Sequence, residues 1–309
     1  MTEVSLMDRA VDTERTPSWP VRIAAAWIVG LVALTLAGWI GEIAQTQFGI
    51  AGRLRQGLHA LVMSGIALPG IWWLRTRFDR RSMAGLGFPD VRTSLIHFGS
   101  GVGLVAVPML LTIVATLAFG WSRITVDVSA SGIGALAAGI LTVLFFEAIP
   151  EETIFRGYIY SNLSLVTRRW VAGAATVALF AVLPIAIHSV QTRVLGISGS
   201  LGGSDSVTAE YVVMILLFGS FIQYLRIASG SVWLGIGFHA AFVLMNRILS
   251  PRPTAFIHLV DVVNSQAIQL TLLMSLLLML VAALVYPRVR GRKRRLESNT
   301  GHAEQPSGV

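Results

Sequence analysis

The segment Glu147-Ala-Ile-Pro150-Glu151-Glu152-Thr153-Ile154-Phe155-Arg156-Gly157-Tyr158 sets three carboxylates and one arginine into an otherwise apolar run. Ionisable groups are costly inside a membrane helix, so such a cluster is a candidate site by default. Glu152 precedes Arg156 by four residues, acid first, which is the favourable order for a helical ion pair. Glu151 points about 100° away around the helix and is left without that partner. Neighbouring carboxylates with unlike surroundings can be held in different protonation states, one ionised while the pKa of the other is free to rise. Pro150 has no backbone N–H and crowds the carbonyl of Phe146, which predicts a local kink.

Two imidazoles are placed to complete an acid–base constellation. Arg168-Arg169 reads as the turn of an antiparallel helical hairpin. Counting back to Glu151 and forward to His188 at ~1.5 Å per residue puts them roughly 26 Å and 29 Å from that turn, level with each other. His239, in Gly235-Ile236-Gly237-Phe238-His239, has Val243 and Asn246 on its helical face. A buried carboxylate facing a buried imidazole on the neighbouring helix is an acid–base pair. The plainer readings are a solvated loop for the carboxylates and structural interhelical hydrogen bonds for His188 and His239. His59, His97, His258 and His302 are read as interfacial or solvated.

The elements that must hold these residues are membrane helices. Of the 309 residues 54% are hydrophobic and 13% charged, about half the charged share of a soluble domain. A bilayer core takes about 20 apolar residues of helix. Runs of that kind at 23–40, 57–74, 95–120, 133–149, 170–187, 209–226, 230–249 and 266–286 predict an all-α, polytopic bundle of about eight spans. Arginines gather in alternate connections (Arg75, Arg77, Arg80, Arg81 and Arg92; Arg168 and Arg169; the tail from Arg288 to Arg295), which puts both termini in the cytoplasm. Residues 1–20 read as a cytoplasmic tail, 21–287 as the membrane domain and 288–309 as a basic tail. Placed after an apolar run, that tail suits lipid headgroups and not nucleic acid. The Gly/Ser-rich stretch 197–206 reads as a flexible outer loop. With no cysteine, thiolate nucleophiles and disulfides are excluded.

Glu151-Glu152-Thr153-Ile154-Phe155-Arg156-Gly157 resembles the EExxxR motif and following Gly of the CPBP family, the type II CAAX prenyl proteases and bacterial Abi proteins. Gly230-Ser231-Val232-Trp233-Leu234-Gly235-Ile236-Gly237-Phe238-His239-Ala240 is similar to the segment carrying that family's last histidine, and Arg226 before it fits as well. The resemblance covers 141–246. Two positions depart from it: Pro184 stands where the second motif has Phe, with Phe180 one turn earlier, and Val243 stands where the third has Asn. The resemblance implies an intramembrane endopeptidase of CAAX-processing type acting near the end of a membrane-associated peptide or protein in the plasma membrane. Glu151, assisted by His188, would deprotonate water, Arg156 would hold Glu152 ionised, and His239 would stabilise the oxyanion. No cofactor is expected; zinc on Glu151, His188 and His239 is the alternative. Its functional alternative is a non-catalytic membrane partner or immunity protein of the same fold, and a transporter ranks third, there being no internal repeat. One tension stands: by span position His239 lies ~13 Å from the cytoplasmic side, half the depth of Glu151 and His188. Either the hairpin protrudes or the local topology differs.

Overall fold

A computed structural model describes residues 17–126, 129–197, 207–249 and 257–261, with helical backbone also at 277, 279–281 and 284–286. Six of its helices are long and apolar enough to cross a membrane. Helices satisfy their own backbone hydrogen bonds, so uniformly apolar sequences can take this form without water. Helix α1 (Trp19–Phe48) opens with Pro20 in its first turn and ends at Gly49, whose φ of 67° turns its N–H back onto the carbonyls of Ala44 and Gln45. Helix α2 (Gly52–Trp73) runs on through a wide π turn, Leu74–Phe78. A 3₁₀ turn at Met83–Leu86 then leads to α3 (Val91–Ala118). Asp90 caps α3 by accepting from the Thr93 N–H at 3.0 Å.

Helix α4 occupies residues 130–166 as one unbroken run of alternating geometry: Ala130–Thr142 regular, Val143–Ala148 wide, Ile149–Glu152 regular, Thr153–Ile159 wide and Tyr160–Val166 regular. It is followed by α5 (Arg169–Arg193), α6 (Ala209–Ser229) and α7 (Val232–Leu249). The first seven expected spans each fall on one of these helices. The eighth, the terminal tails and the glycine-rich loop fall largely outside the described residues. One local departure from an all-α chain is a two-stranded antiparallel ribbon, β1 (Ser122–Val126) on β2 (Ile257–Asp261), with Ser122 opposite Asp261.

Two packing features fix the site-bearing helices. Helices α3 and α7 touch backbone to backbone: a methyl group on Gly101 would lie 2.2 Å from the Leu234 carbonyl oxygen, and one on Gly237 2.2 Å from that of Phe98. Small residues permit such close approach where no hydrophobic force drives helices together. In the α2–α3 connection, Asp79 is wholly buried and accepts from the Tyr158 hydroxyl at 2.7 Å and the Asn162 amide at 3.4 Å. Arg22 approaches it at 3.6 Å and Arg75 at 4.0 Å. The basic α2–α3 connection is therefore only partly a solvated, orienting segment: Arg77 and Arg80 are exposed, but Arg75 and Arg81 are buried.

Candidate active site

Helix α4 departs from regular geometry on both sides of Pro150. Proline cannot donate to Phe146, so the hydrogen-bond ladder must shift there. On the first wide turn the Ile149 N–H bonds to Leu144, five residues back, and the Ser64 hydroxyl of α2 donates to the carbonyl of Phe145. On the second, the Tyr160 N–H bonds to Phe155, and the Arg226 Nε of α6 donates to the carbonyl of Arg156 at 3.0 Å. Each displaced carbonyl is thus taken by a side chain from a neighbouring helix. The expected kink is realised as two wide turns that rotate the carboxylates relative to a regular helix.

Glu152 is the hub. It is fully buried, and its Oε1 accepts from Arg156 Nη1 at 3.1 Å and meets His239 Nδ1 at 3.0 Å. Arg156 reaches on to donate Nη2 to the carbonyl of Gly219 at 3.1 Å and lies 4.4 Å over the Phe180 ring. His239 is held edge-on by Phe218, ring centroids 4.9 Å apart. Gly235 leaves room for the carboxylate, since a methyl group there would lie 3.1 Å from Glu152 Oε2. Among the described residues Glu152 Oε2 has no hydrogen-bond partner.

Glu151 is only partly buried and makes no ion pair among the described residues; the charges around it are His239, Glu147, Glu152 and Arg156. Glu147 pairs with Arg247 of α7 at 2.6 Å, one helical turn beyond Glu151. His188 is partly exposed on α5, and among the described residues no hydrogen bond, ion pair or ring contact joins its imidazole to Glu151, Glu152 or His239. Nor do the described residues gather three or more His, Cys, Asp or Glu side chains around a point that could take a metal, Glu151, His188 and His239 included. Of the remaining histidines, His97 is buried within α3, and His59 packs on Phe146 at 5.7 Å. Asn246 donates to the carbonyl of Phe242 on its own helix.

The pairing of Glu152 with His239 joins two motifs almost ninety residues apart in sequence (239 − 152 = 87) around one buried carboxylate. Residues 133–245 match the family described as type II CAAX prenyl endopeptidase Rce1-like. The Rce1-like segment thus contains every member of the hub, and the likeness to CAAX proteases read from the motifs holds over it. No curated protein and no solved structure matches the chain.

The α6–α7 turn packs against the α2–α3 connection: the Val232 N–H bonds to Gly87 at 2.9 Å, next to the contact of Arg226 with Leu86 at 3.3 Å. It lies level with Arg156, whereas the α4–α5 turn begins at Thr167, 11 residues later and about 16 Å further along the helix. The hairpin extends past the α6–α7 turn, and two turns of α7 suffice to bring His239 to Glu152. Sequence reasoning missed Phe218, Gly219, Gly235 and the contact of Arg226; only Gly235, in a Gly-x-Gly setting before His239, carried a readable sign of close packing.

Proposed function

We propose that this integral membrane protein is a CAAX-type intramembrane endopeptidase that hydrolyses a peptide bond by glutamate-activated water. The observation that carries the reading is the shared Glu152 carboxylate, which links Arg156 and His239 within the Rce1-like segment, while the adjacent Glu151 is partly exposed and without an ion pair among the described residues.

In this reading Glu151 accepts a proton from water as its oxygen adds to the scissile carbonyl carbon. His188, at the depth of Glu151, assists once substrate closes the site. Glu152 orients His239 through Nδ1, so that Nε2 of the doubly protonated ring faces the developing oxyanion. Glu151 then returns its proton to the leaving amine, and the C–N bond breaks. Arg156 keeps Glu152 anchored and charged without touching substrate. The substrate class is a membrane-associated chain cleaved near its C-terminus, as the family's description implies, and no cofactor is required. The plasma membrane is the proposed location, both termini cytoplasmic, with lipid and peptide as the only partners.

A second reading, a non-catalytic membrane partner of the same fold, is favoured by Val243, which replaces a polar donor beside His239 with an apolar side chain. The test is turnover of a prenylated fluorogenic CAAX peptide by the purified protein in nanodiscs, with Glu151→Gln in parallel. Cleavage by the wild type alone supports the peptidase. Equal cleavage by both, or none by either, defeats it.

A further inference from the structure

Arg226 is a buried cation with no role in the chemistry above. It is 7% exposed, and its hydrogen bonds go to carbonyls: Nε to Arg156 at 3.0 Å and Nη2 to Leu86 at 3.3 Å. Its guanidinium lies 5.4 Å over the Tyr160 ring. Among the described residues no carboxylate pairs with it, so its burial is compensated by carbonyl dipoles and a ring face alone. A methionine of similar length would avoid that cost, yet it could not bridge the two segments.

Both acceptors brace the hub. The Arg156 carbonyl is the one left over when the Tyr160 N–H bonds to Phe155, so Arg226 caps the wide turn that sets the direction of Glu152 and Arg156. Leu86 precedes Gly87, whose φ of 89° suits glycine. The Gly87 carbonyl accepts from the Val232 N–H at 2.9 Å, fixing the first turn of α7. Val232 and His239 are seven residues apart, two turns along one face. Contact is so close that a methyl group on Gly87 would lie 2.4 Å from Arg226 Nη2 and 3.0 Å from the Gly230 carbonyl oxygen. Arg156 and Arg226 also reciprocate: the first donates from α4 to Gly219 of α6, the second from α6 back to Arg156 of α4.

We infer that Arg226 and Gly87 form a positioning joint that sets the axial register of α7 against α4, and so the contact of His239 with Glu152. Arg226 acts through the backbone and touches no substrate. The inference rests on the peptidase reading for its catalytic consequence but not for its structural one, and the experiment separates the two.

Full-length protein labelled with 13C/15N-histidine is examined in nanodiscs by NMR, His239 being assigned by its loss in His239→Gln. Arg226→Lys, which keeps the cation but not the fork, and Gly87→Ala, which displaces the fork, are compared with Leu225→Ala, a neighbouring buried truncation. Expected are shifted His239 ring resonances in Arg226→Lys and Gly87→Ala, and an unchanged His239 signal in Leu225→Ala despite its lower melting temperature. Arg226→Lys preserves charge and bulk, and carries the test alone if Gly87→Ala does not fold. Where the CAAX peptide is turned over, kcat falls by about 100-fold, as for a roughly 1 Å misplacement, with KM unchanged. Wild-type His239 resonances in folded Arg226→Lys, or the same shift in Leu225→Ala, overturn the joint. Absence of peptide cleavage by the wild type removes the peptidase reading, and the NMR result still decides the joint.

Discussion

Replacing Arg156 by methionine removes the one permanent cation that, among the described residues, pairs with the Glu152 carboxylate, and the cost follows from the geometry. Glu152 is fully buried, with both strong contacts on Oε1 and none on Oε2 among the described residues. Removing one member of a buried pair costs about 3–5 kcal/mol, because the remaining charge is left uncompensated. The Gly219 carbonyl, still bonded within its helix, loses its second donor, for about 0.5–1.5 kcal/mol, and the Phe180 ring loses its cation, for about 0.5–2 kcal/mol. These contributions overlap, so the pair sets the scale: at ~2–4 °C per kcal/mol, Arg156→Met should lower the thermal midpoint in nanodiscs by roughly 10 °C. Adding Glu152→Gln in the same background removes the stranded charge and should recover more than half of the loss. Such recovery is the signature of an uncompensated carboxylate, since lost packing would not return. A single variant within about 1 kcal/mol of wild type, or a double variant worse than the single, would refute the reasoning.

Gly235→Ala puts a methyl group 3.1 Å from Glu152 Oε2 and 2.9 Å from the Ile222 side chain; overpacking of this kind costs about 1–3 kcal/mol, and peptide turnover should fall more than thermal stability. Gly101→Leu or Gly237→Leu forces α3 and α7 apart, so folded protein should not accumulate, as gel filtration of detergent extracts will show. Asp79→Ala removes the carboxylate that Arg22 and Arg75 approach and the acceptor of Tyr158, and the unpaired Tyr158 hydroxyl alone should cost about 1–3 kcal/mol in thermal unfolding. Arg247→Met frees Glu147 in a partly exposed pair and should change stability by no more than about 1 kcal/mol.

Much of this arrangement is legible in the sequence, and the illegible part has specific causes. Spacing alone gives the ion pair of Glu152 with Arg156, because i and i+4 meet on a helix whatever surrounds it. Residue counting gives depth, and Phe180 does lie against Arg156 across the hairpin. Counting does not give direction. Two wide turns around Pro150 rotate the carboxylates, and their stability depends on Ser64 and Arg226, each remote in sequence. For the same reason His239 meets Glu152 and not Glu151. The β1 strand has the β-branched Ile124, Thr125 and Val126, but its partner lies more than a hundred residues on, beyond any local pattern. Arg75 is buried beside a carboxylate, Asp79, and nothing in the local sequence pattern marks that residue as buried.

The central claim is that Glu151 is the base of a peptidase whose geometry is held by Glu152. Single-turnover cleavage of the prenylated CAAX peptide in nanodiscs, comparing wild type with Glu151→Gln at equal folded concentration, tests it most directly. The account predicts that Glu151→Gln loses at least about 100-fold in rate, with the thermal midpoint unchanged. Cleavage by Glu151→Gln at the wild-type rate would contradict it.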